Sequence, residues 1–588
     1  MKLMKKILYI FLIAAVCASC DFLDTKVYDN PEGDQQLFDE TSCMAGLTGV
    51  YDVLGFSDLY GQNLWGDLDA GSDILYHERS YNKDKHYVSL KKYNNTDQFV
   101  NGTWKALYIG INRANDFLRQ LENLSDAQCG GKKNMFEAEA RALRALYYMN
   151  LVAYWGEAPL RLETTMDLSH QLLKKAPQKE LYEQIFKDLA FGAGEVDSEG
   201  KVVTPGHCWS ADKLNTPGRI SQTTAQALLA RAYLWYAGYP TYGDTWQEAR
   251  NYALAVMKSN LHGLNKTAID MAYTNGYHSV FINMCSNRYD LTARESMFEV
   301  EFYGNGLESS NESGKVGLYN GIQQTATYDP DVPYAYGFYR PTHILMRLYD
   351  KKYAVGPQKD PTEKNDARKW WNIADYTWQK NNEAKKVTKK FFTESDKSTK
   401  DNLKSFPGKW RAEYDPVRPW ARNNSSINFP VMRYSDVLLM FAEAEVELNN
   451  GATQEAVDAI NLVRERAGAT PIALGDKPES KYANNDPSDI STIDGMRKFI
   501  FEERTRELCY ELPRHMELRR HGKEFFMERI RLLISEDEYP NSQKHIIGYD
   551  RDDVAAVPAI NLEEKHIYLP IPQCELNTNT ICGQNAGW

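Results

Sequence analysis

Cysteine is scarce in this chain, nine residues in 588. Beyond Cys17 and Cys20 there remain Cys43, Cys129, Cys208, Cys285, Cys509, Cys574 and Cys582, scattered and without C-x-x-C spacing. That excludes a zinc ribbon, and an odd count leaves at least one thiol unpaired if all disulfides are internal. Only Cys574 and Cys582 stand close enough to suggest a bridge; the others read mostly as small buried hydrophobes. Positive charge is in deficit, 69 Lys and Arg against 80 Asp and Glu, for a formal net charge of −11. Such a surface disfavours nucleic acid and anionic headgroups as partners. Long hydrophobic runs are missing beyond the first residues, so no later segment reads as a transmembrane helix. No G-x-S-x-G elbow, Walker loop, H-E-x-x-H pair or dinucleotide fingerprint occurs. A glycosidase-like carboxylate pair cannot be singled out among so many acids. His515 and His521, six apart, lack the i, i+4 spacing of a helical zinc pair. No catalytic residue, metal ligand or cofactor is expected.

What stands at the N-terminus is more specific. Lys2, Lys5 and Lys6 form a positive region, Ile7 to Val16 an apolar core, and Ala18 and Ser19 lead into Cys20. The core is too short to span a bilayer as a helix, so residues 1–19 read as a removable export signal. The small-small-Cys ending resembles the lipobox of bacterial lipoproteins, which implies that Cys20 is lipidated and becomes the first mature residue. Several acyl chains would then hold the protein stably to a membrane. Loss of the three lysines makes the mature chain more acidic still, at −14.

Aromatic residues are abundant: 37 Tyr, 22 Phe and 12 Trp. Many belong to helices. From about Asn134 to Trp155, Phe136, Ala140, Leu143, Tyr147, Leu151 and Tyr154 recur at three to four residues and mark one apolar face. Pro159 is expected to stop this helix, and a partner runs from about Lys179 to Gly194. A second pair comprises TTAQALLARAYLWYAG, with Gly238 as its C′ glycine, and TWQEARNYALAVMKSN. A third pair, SDVLLMFAEAEVELNNG and ATQEAVDAINLVRERAG, turns at Asn449, Asn450 and Gly451. Helix pairs with small residues at the contacts resemble degenerate tetratricopeptide repeats. The helix TWKALYIGINRAND directs Trp104, Tyr108 and Ile111 to the core. The expected fold class is mostly α: a helical scaffold over about 40–260 and 429–588, and a loop-rich insertion over about 261–428 with short strands such as 296–303. Pro330, Pro333 and Pro341 exclude long helices from part of that insertion, and loops on a rigid scaffold commonly carry function.

Several motifs in order carry a resemblance to a known family. DFLDT follows Cys20. AEARALRALYYMNLVAYWGEAPL begins at Ala138, GRISQTTAQALLARAYLW at Gly218, and FPVMRYSDVLLMFAEAEVELN, with Arg433, Asp436 and Glu443, at Phe429. INLVRERAG, FIFEERTRELCYELPRHMELRRHG and YLPIPQCEL complete the series. Nearly the whole chain resembles the SusD/RagB lipoproteins. The resemblance implies a non-enzymatic nutrient-binding protein of the outer membrane, lipid-anchored and surface-exposed, partnered with a SusC-like TonB-dependent transporter. The polar run Glu502, Glu503, Arg504, Arg506 and Glu507, continued by Arg514, Glu517, Arg519 and Arg520, has spacings for i, i+3 and i, i+4 pairing, and reads as an ion-pair network rather than an active site.

Sugars present flat C–H faces and a rim of hydroxyls, which proteins meet with aromatic rings and Asn, Asp, Arg or Tyr groups. Three segments have that mixture: the run from Trp65 with Tyr76, Arg79, Tyr81, Asn82 and Tyr87; residues 328–340 with Tyr328, Tyr334, Tyr336, Tyr339 and Arg340; and KWWNIADYTW with Trp370, Trp371, Tyr376 and Trp378. Singly, each tyrosine reads as loop packing. As a group, Tyr76, Arg79, Tyr81, Asn82, Tyr334, Tyr336, Tyr339, Trp370 and Trp371 are the candidate ligand residues. The expected ligand is an oligosaccharide or polysaccharide. The alternatives are a peptide, a glycan-active enzyme and a repeat scaffold that only docks a partner.

Overall fold

The computed structural model describes residues 36–78, 86–164, 172–304, 314–349, 366–393, 405–476, 489–511, 513–534 and 554–588. Cys20 and its leader lie outside the described residues, as do Arg79, Tyr81 and Asn82. Helices of nine or more residues are α1 (Glu40–Asp52), α2 (Gln98–Glu122), α3 (Lys133–Trp155), α4 (Gln178–Ala193), α5 (Gln222–Ala237), α6 (Trp246–Lys258), α7 (Gly276–Cys285), α8 (Tyr434–Leu448), α9 (Gln454–Arg466), α10 (Ile493–Leu508) and α11 (Lys523–Arg531). Side chains fix several of their starts: Asp39, Asp97, Ser221, Thr453 and Thr492 each accept from a backbone N–H of the first turn. No helix among the described residues is long and apolar enough to cross a membrane.

The helices stack as neighbours in the order α2, α3, α4, α5, α6, α8, α9. The three expected pairs are present, and α8 continues the stack beside α6 although the whole insertion separates them in sequence. The scaffold is therefore a layered array of helix hairpins of tetratricopeptide-like kind. Its layers approach closely because α3 and α5 are rich in buried alanines, such as Ala138, Ala142, Ala145, Ala227 and Ala232. Trp104 is buried against Trp155 as expected, ring centroids 5.2 Å apart.

Two helices end where expected but for different reasons. α3 ends at Trp155 because Gly156 takes a left-handed φ of 74°; Pro159 comes later and enters a strand. A Cβ on Gly156 would also stand 2.7 Å from the Tyr568 ring. Gly156→Ala is expected to lower stability by about 1–2 kcal/mol, read as a reduced urea midpoint with unchanged far-ultraviolet circular dichroism. Gly238 is extended rather than left-handed, φ −86°. Its lack of a side chain serves packing, since a Cβ would meet the Arg520 carbonyl oxygen at 2.5 Å.

Among the described residues, five two-stranded antiparallel ribbons decorate the scaffold: β1 (Leu75–His77) with β7 (Tyr339–Pro341), β2 (Ala158–Pro159) with β3 (Lys175–Ala176), β4 (Gly194–Val196) with β5 (Val202–Pro205), β6 (Ser296–Val300) with β10 (Phe429–Arg433), and β8 (Tyr376–Asn381) with β9 (Lys386–Phe391). The first and fourth ribbons sew the insertion to the scaffold. One apolar core runs across both, joining Leu47, Trp65 and Trp155 to Val316, Tyr339 and Trp410.

Beside that core lies a buried charge network. Glu507 accepts from Arg466 at 2.6 Å, Arg433 at 3.0 Å and Arg368 at 3.3 Å. Glu503 accepts from Arg368 at 2.6 Å, Arg464 at 2.7 Å and Arg506 at 2.9 Å. Asp73 holds Arg514 and Arg529, each at 2.8 Å, and Glu517 holds Arg504 and Arg520. The network expected from the sequence is present, but it is tertiary. Only Arg506–Glu503 and Arg520–Glu517 in this group are local i, i+3 pairs; the others join α10 to β10, α9, the insertion and the helix Arg514–Arg519, and tie that helix and α11 to Asp73.

Cysteine pairing also departs from expectation. Cys574 and Cys582 are free thiols, the first half-buried on the helix Gln573–Thr578 and the second buried beyond its end. Nearness in sequence does not aim two Cβ vectors at each other. The thiols that meet are Cys43 of α1 and Cys129, 86 residues apart, with Sγ atoms at 4.0 Å.

Candidate functional site

The β1–β7 ribbon pairs Tyr76 with Arg340 and His77 with Tyr339, and Glu78 N–H donates to the Phe338 carbonyl at 2.8 Å. It thus brings together the two aromatic segments near residues 76 and 334, more than 250 positions apart. The loop leading into β7 is held by its own polar groups. Gln324, a buried side chain, donates to the carbonyls of Ala326 and Val332, each at 3.0 Å. Asp329 accepts from the N–H groups of Asp331 and Val332 and, at 2.7 Å, of Val387 in β9. Phe338 and Tyr336 donate backbone N–H groups to Tyr319 and Leu318. Gly337 sits between them at φ 58°, where a Cβ would press on Phe406 at 2.7 Å, so glycine is required for the sharp turn between two rings.

The result is a patch of four rings. Tyr336 lies 4.8 Å from Tyr334, 5.0 Å from Phe338 and 5.5 Å from Tyr319, the last at 90°. Tyr319, Tyr336 and Phe338 are half-buried, so each keeps a face or edge toward solvent. Polar groups rim the patch. Tyr336 Oη donates to Asn423 Oδ1 at 2.8 Å, Gln323 Nε2 donates to the Tyr336 carbonyl at 2.9 Å, and the Arg422 guanidinium lies over Tyr334 at 4.6 Å. Rings for C–H faces and amides for hydroxyls are the groups that sugar binding needs.

The predicted residues separate clearly. Tyr334 and Tyr336 belong to the patch. Tyr339, fully buried, packs against Trp65 and His77 inside the core, and burial followed by the nearby Asp67 charge pushes its hydroxyl well above the ordinary tyrosine pKa. Trp371, also fully buried, packs edge-on against Tyr273, with the Arg411 guanidinium 3.8 Å over its ring. Neither offers a face to a ligand, so both expectations are corrected: their rings complete cores. Tyr76 turns to a small cluster with Leu90, Val554 and Val557. Trp370 is half-buried on the short helix Lys369–Asn372, with Lys369 over its ring. Arg340 is buried in an ion pair with Glu78 at 2.5 Å. Tyr319, Phe338, Arg422 and Asn423 were missed. Only the alternation Tyr334-x-Tyr336-x-Phe338 hinted at a shared face; Tyr319 and Asn423 arrive through tertiary contacts.

Beneath the patch, Phe338 meets His77 at 5.6 Å. Asp67, His77 and His86 bring ligand atoms within 4.8 Å of one another, the sole such group found among the described residues. The two imidazoles stack at 3.9 Å and 22°, and His86 stacks in turn on Phe99. A metal ion lies near the plane of each imidazole it binds, and two parallel rings this close share no such point. His86 instead pairs with Asp67. Burial would raise the Asp67 carboxyl, but that hydrogen bond and charge outweigh it and hold the group below its ordinary value. The cluster is a hydrogen-bonded carboxylate–imidazole pair within a ring stack that supports the patch. A cleft of about 550 Å³ among α2, α3 and α4 is lined by charged groups such as Arg119, Glu137 and Arg141, without an aromatic ring, and so lacks stacking surfaces.

Residues 294–588 match the family model described as the SusD family, and residues 21–203 match one described as starch-binding, associating with the outer membrane. The SusD-like protein P25 of Formosa agariphila is 26% identical over 617 aligned residues, spanning 99% of this chain and 98% of that protein. A SusD homolog from Bacteroides thetaiotaomicron superposes with a TM-score of 0.73 at 24% identity, covering 94% of this chain and 98% of its own. A laminarin-binding SusD-like protein superposes with a TM-score of 0.61 at 23% identity, covering 94% and 100%. These structural likenesses establish a common fold.

Proposed function

Since the chain belongs to the SusD/RagB family, we propose that it is a cell-surface glycan-binding lipoprotein that delivers its ligand to a SusC-like TonB-dependent transporter of the outer membrane. The observation that carries the glycan reading is the patch of Tyr319, Tyr334, Tyr336 and Phe338, rimmed by Asn423 and Gln323 and locked by the loop's own hydrogen bonds. A patch held in place before the ligand arrives loses little conformational entropy on binding. The laminarin-binding relative supports an oligosaccharide or polysaccharide as the ligand class. No catalytic step is assigned: the protein captures and hands on.

Isothermal calorimetry and affinity electrophoresis of the mature chain against a glycan panel test this reading. Binding without release of new reducing ends is expected. Reducing-end production would make the protein an enzyme. Failure to bind any glycan, with the transporter still co-purifying, would favour peptide uptake. The anchor has its own test. Cys20→Ala is expected to move the protein from the membrane pellet to the soluble fraction with an unchanged melting profile, because the lipid chains supply the membrane affinity. Retention in the pellet without a protein partner would overturn lipidation at Cys20.

A further inference from the structure

The chain is acidic overall, but the face around the aromatic patch is not. The β8–β9 hairpin, residues 376–391, holds five lysines against one acid, Glu383. The β8–β9 hairpin displays Lys380, Lys385, Lys386 and Lys390 at exposed positions. It is fastened to the patch loop: besides the Asp329–Val387 bond, Tyr328 Oη donates to Asn382 at 2.9 Å, and Lys386 pairs with Asp331 at 2.9 Å. On the other flank, Arg418 donates to the Asp331 carbonyl at 2.8 Å. The segment it anchors carries Arg422, exposed, over Tyr334 and 5.9 Å from Tyr336.

The positive charge on this face is only partly compensated. Lys386 meets Asp331, and Lys389 meets Glu413 at 3.0 Å. Asp329 and Asp415 are buried, engaged by backbone amides and by Ser425 and Ser426. Among the described residues, no carboxylate lies within ion-pair distance of Arg422, Lys380, Lys385 or Lys390. A neutral sugar's hydroxyls accept from a guanidinium one N–H at a time and do not match the charge or the two prongs of its fork. A carboxylate or sulfate does, because both accept two parallel N–H groups in the fork's geometry. Local charge also matters more than the net charge: beyond about 8 Å in physiological salt the acidic body is largely screened, and a polyanion at the patch meets chiefly the cations beside it.

We propose that the ligand of this face is an anionic glycan, a polysaccharide bearing carboxylate or sulfate groups. A sugar ring lies against the Tyr319–Tyr336 rings, Arg422 engages the acidic group, and the hairpin lysines hold the charges that follow. This rests on the glycan-binding reading and narrows its ligand.

The test is calorimetry of the mature chain with polygalacturonate and its carboxyl-reduced form, and with a sulfated fucan and its desulfated form, beside neutral laminarin and starch. Binding to one acidic polymer, lost on neutralisation and weakened by added salt, is expected; the arm that binds distinguishes carboxylate from sulfate. Arg422→Gln should weaken it about tenfold or more, with Arg422→Lys in between. Arg422 is exposed, so both variants keep the fold, checked by their melting profiles. Equal affinity for neutralised polymers, binding of neutral glycans alone, or an unchanged Arg422→Gln would overturn the anionic ligand and leave glycan binding standing. Acidic binding that survives Tyr336→Ala would be attraction of a polyanion without a site, and would overturn it too. Failure to bind any polymer overturns both readings.

Discussion

Glu507→Gln is expected to destabilise the protein by about 3–5 kcal/mol, the cost of removing one partner from a buried charge cluster. The variant leaves Arg368, Arg433 and Arg466 facing a neutral amide in a site closed to water. Glu199→Gln, which breaks an exposed pair with Lys258 at 3.8 Å, should change stability by less than about 1 kcal/mol. Denaturant unfolding of the two variants beside the parent checks the contrast. Similar losses in both would refute the structural role of the network. The same cluster sets the acid limit. Burial would raise the Glu507 carboxyl, yet Arg466, Arg433 and Arg368 bring it down to about 2 from an ordinary 4.5. Asp73, against Arg514 and Arg529, is likewise brought down to about 2 from 3.8. A carboxylate depressed in the folded state stabilises it fully above its unfolded pKa, and that contribution disappears as pH falls through the folded value. Stability should therefore drop steeply between about pH 4.5 and about pH 2, and Glu507→Gln should flatten the drop.

Tyr336→Ala is expected to weaken glycan binding roughly 30-fold or more, as loss of a central aromatic anchor does, with little change in stability. Trp371→Ala should do the reverse. Its ring is fully buried among Tyr273, His278 and Arg411, so truncation leaves a cavity costing about 3–5 kcal/mol. Calorimetry for binding and urea midpoints for stability separate the two outcomes. Tyr336→Phe removes only the hydroxyl that donates to Asn423, and should cost less than the ring. If Tyr336→Ala bound glycan as the parent does, the patch would not be the site.

That pair of residues also measures how far the sequence could be read. Tyr336 and Trp371 both stand in aromatic stretches without a helical apolar stripe, and nothing in their neighbours distinguishes a ring for ligand from a ring for core. Burial depends on what the rest of the chain lays over each one. Likewise α10 has no apolar stripe to betray its place. It is buried on nearly all sides, and its glutamates and arginines are satisfied by partners as distant as Arg368 and Arg433.

Local regularities, by contrast, were legible. Helical periodicity placed α3, α4, α5, α6, α8 and α9 to within a residue or two, because each must show one face to its neighbours in the stack. The pairing of neighbours followed from short turns, such as Asn449 to Thr453 between α8 and α9. The ordered motifs determined the family. Tertiary structure decided the rest. It gave the stop of α3, expected near Trp155, to Gly156 rather than Pro159. It joined residues 75–77 to 339–341, brought Tyr319 and Asn423 beside Tyr336, and set a cationic face on an acidic chain. Helix patterns repeat within a few residues and are written where they act. A binding surface made of loops is written in pieces hundreds of residues apart, and only the folded chain adds them together.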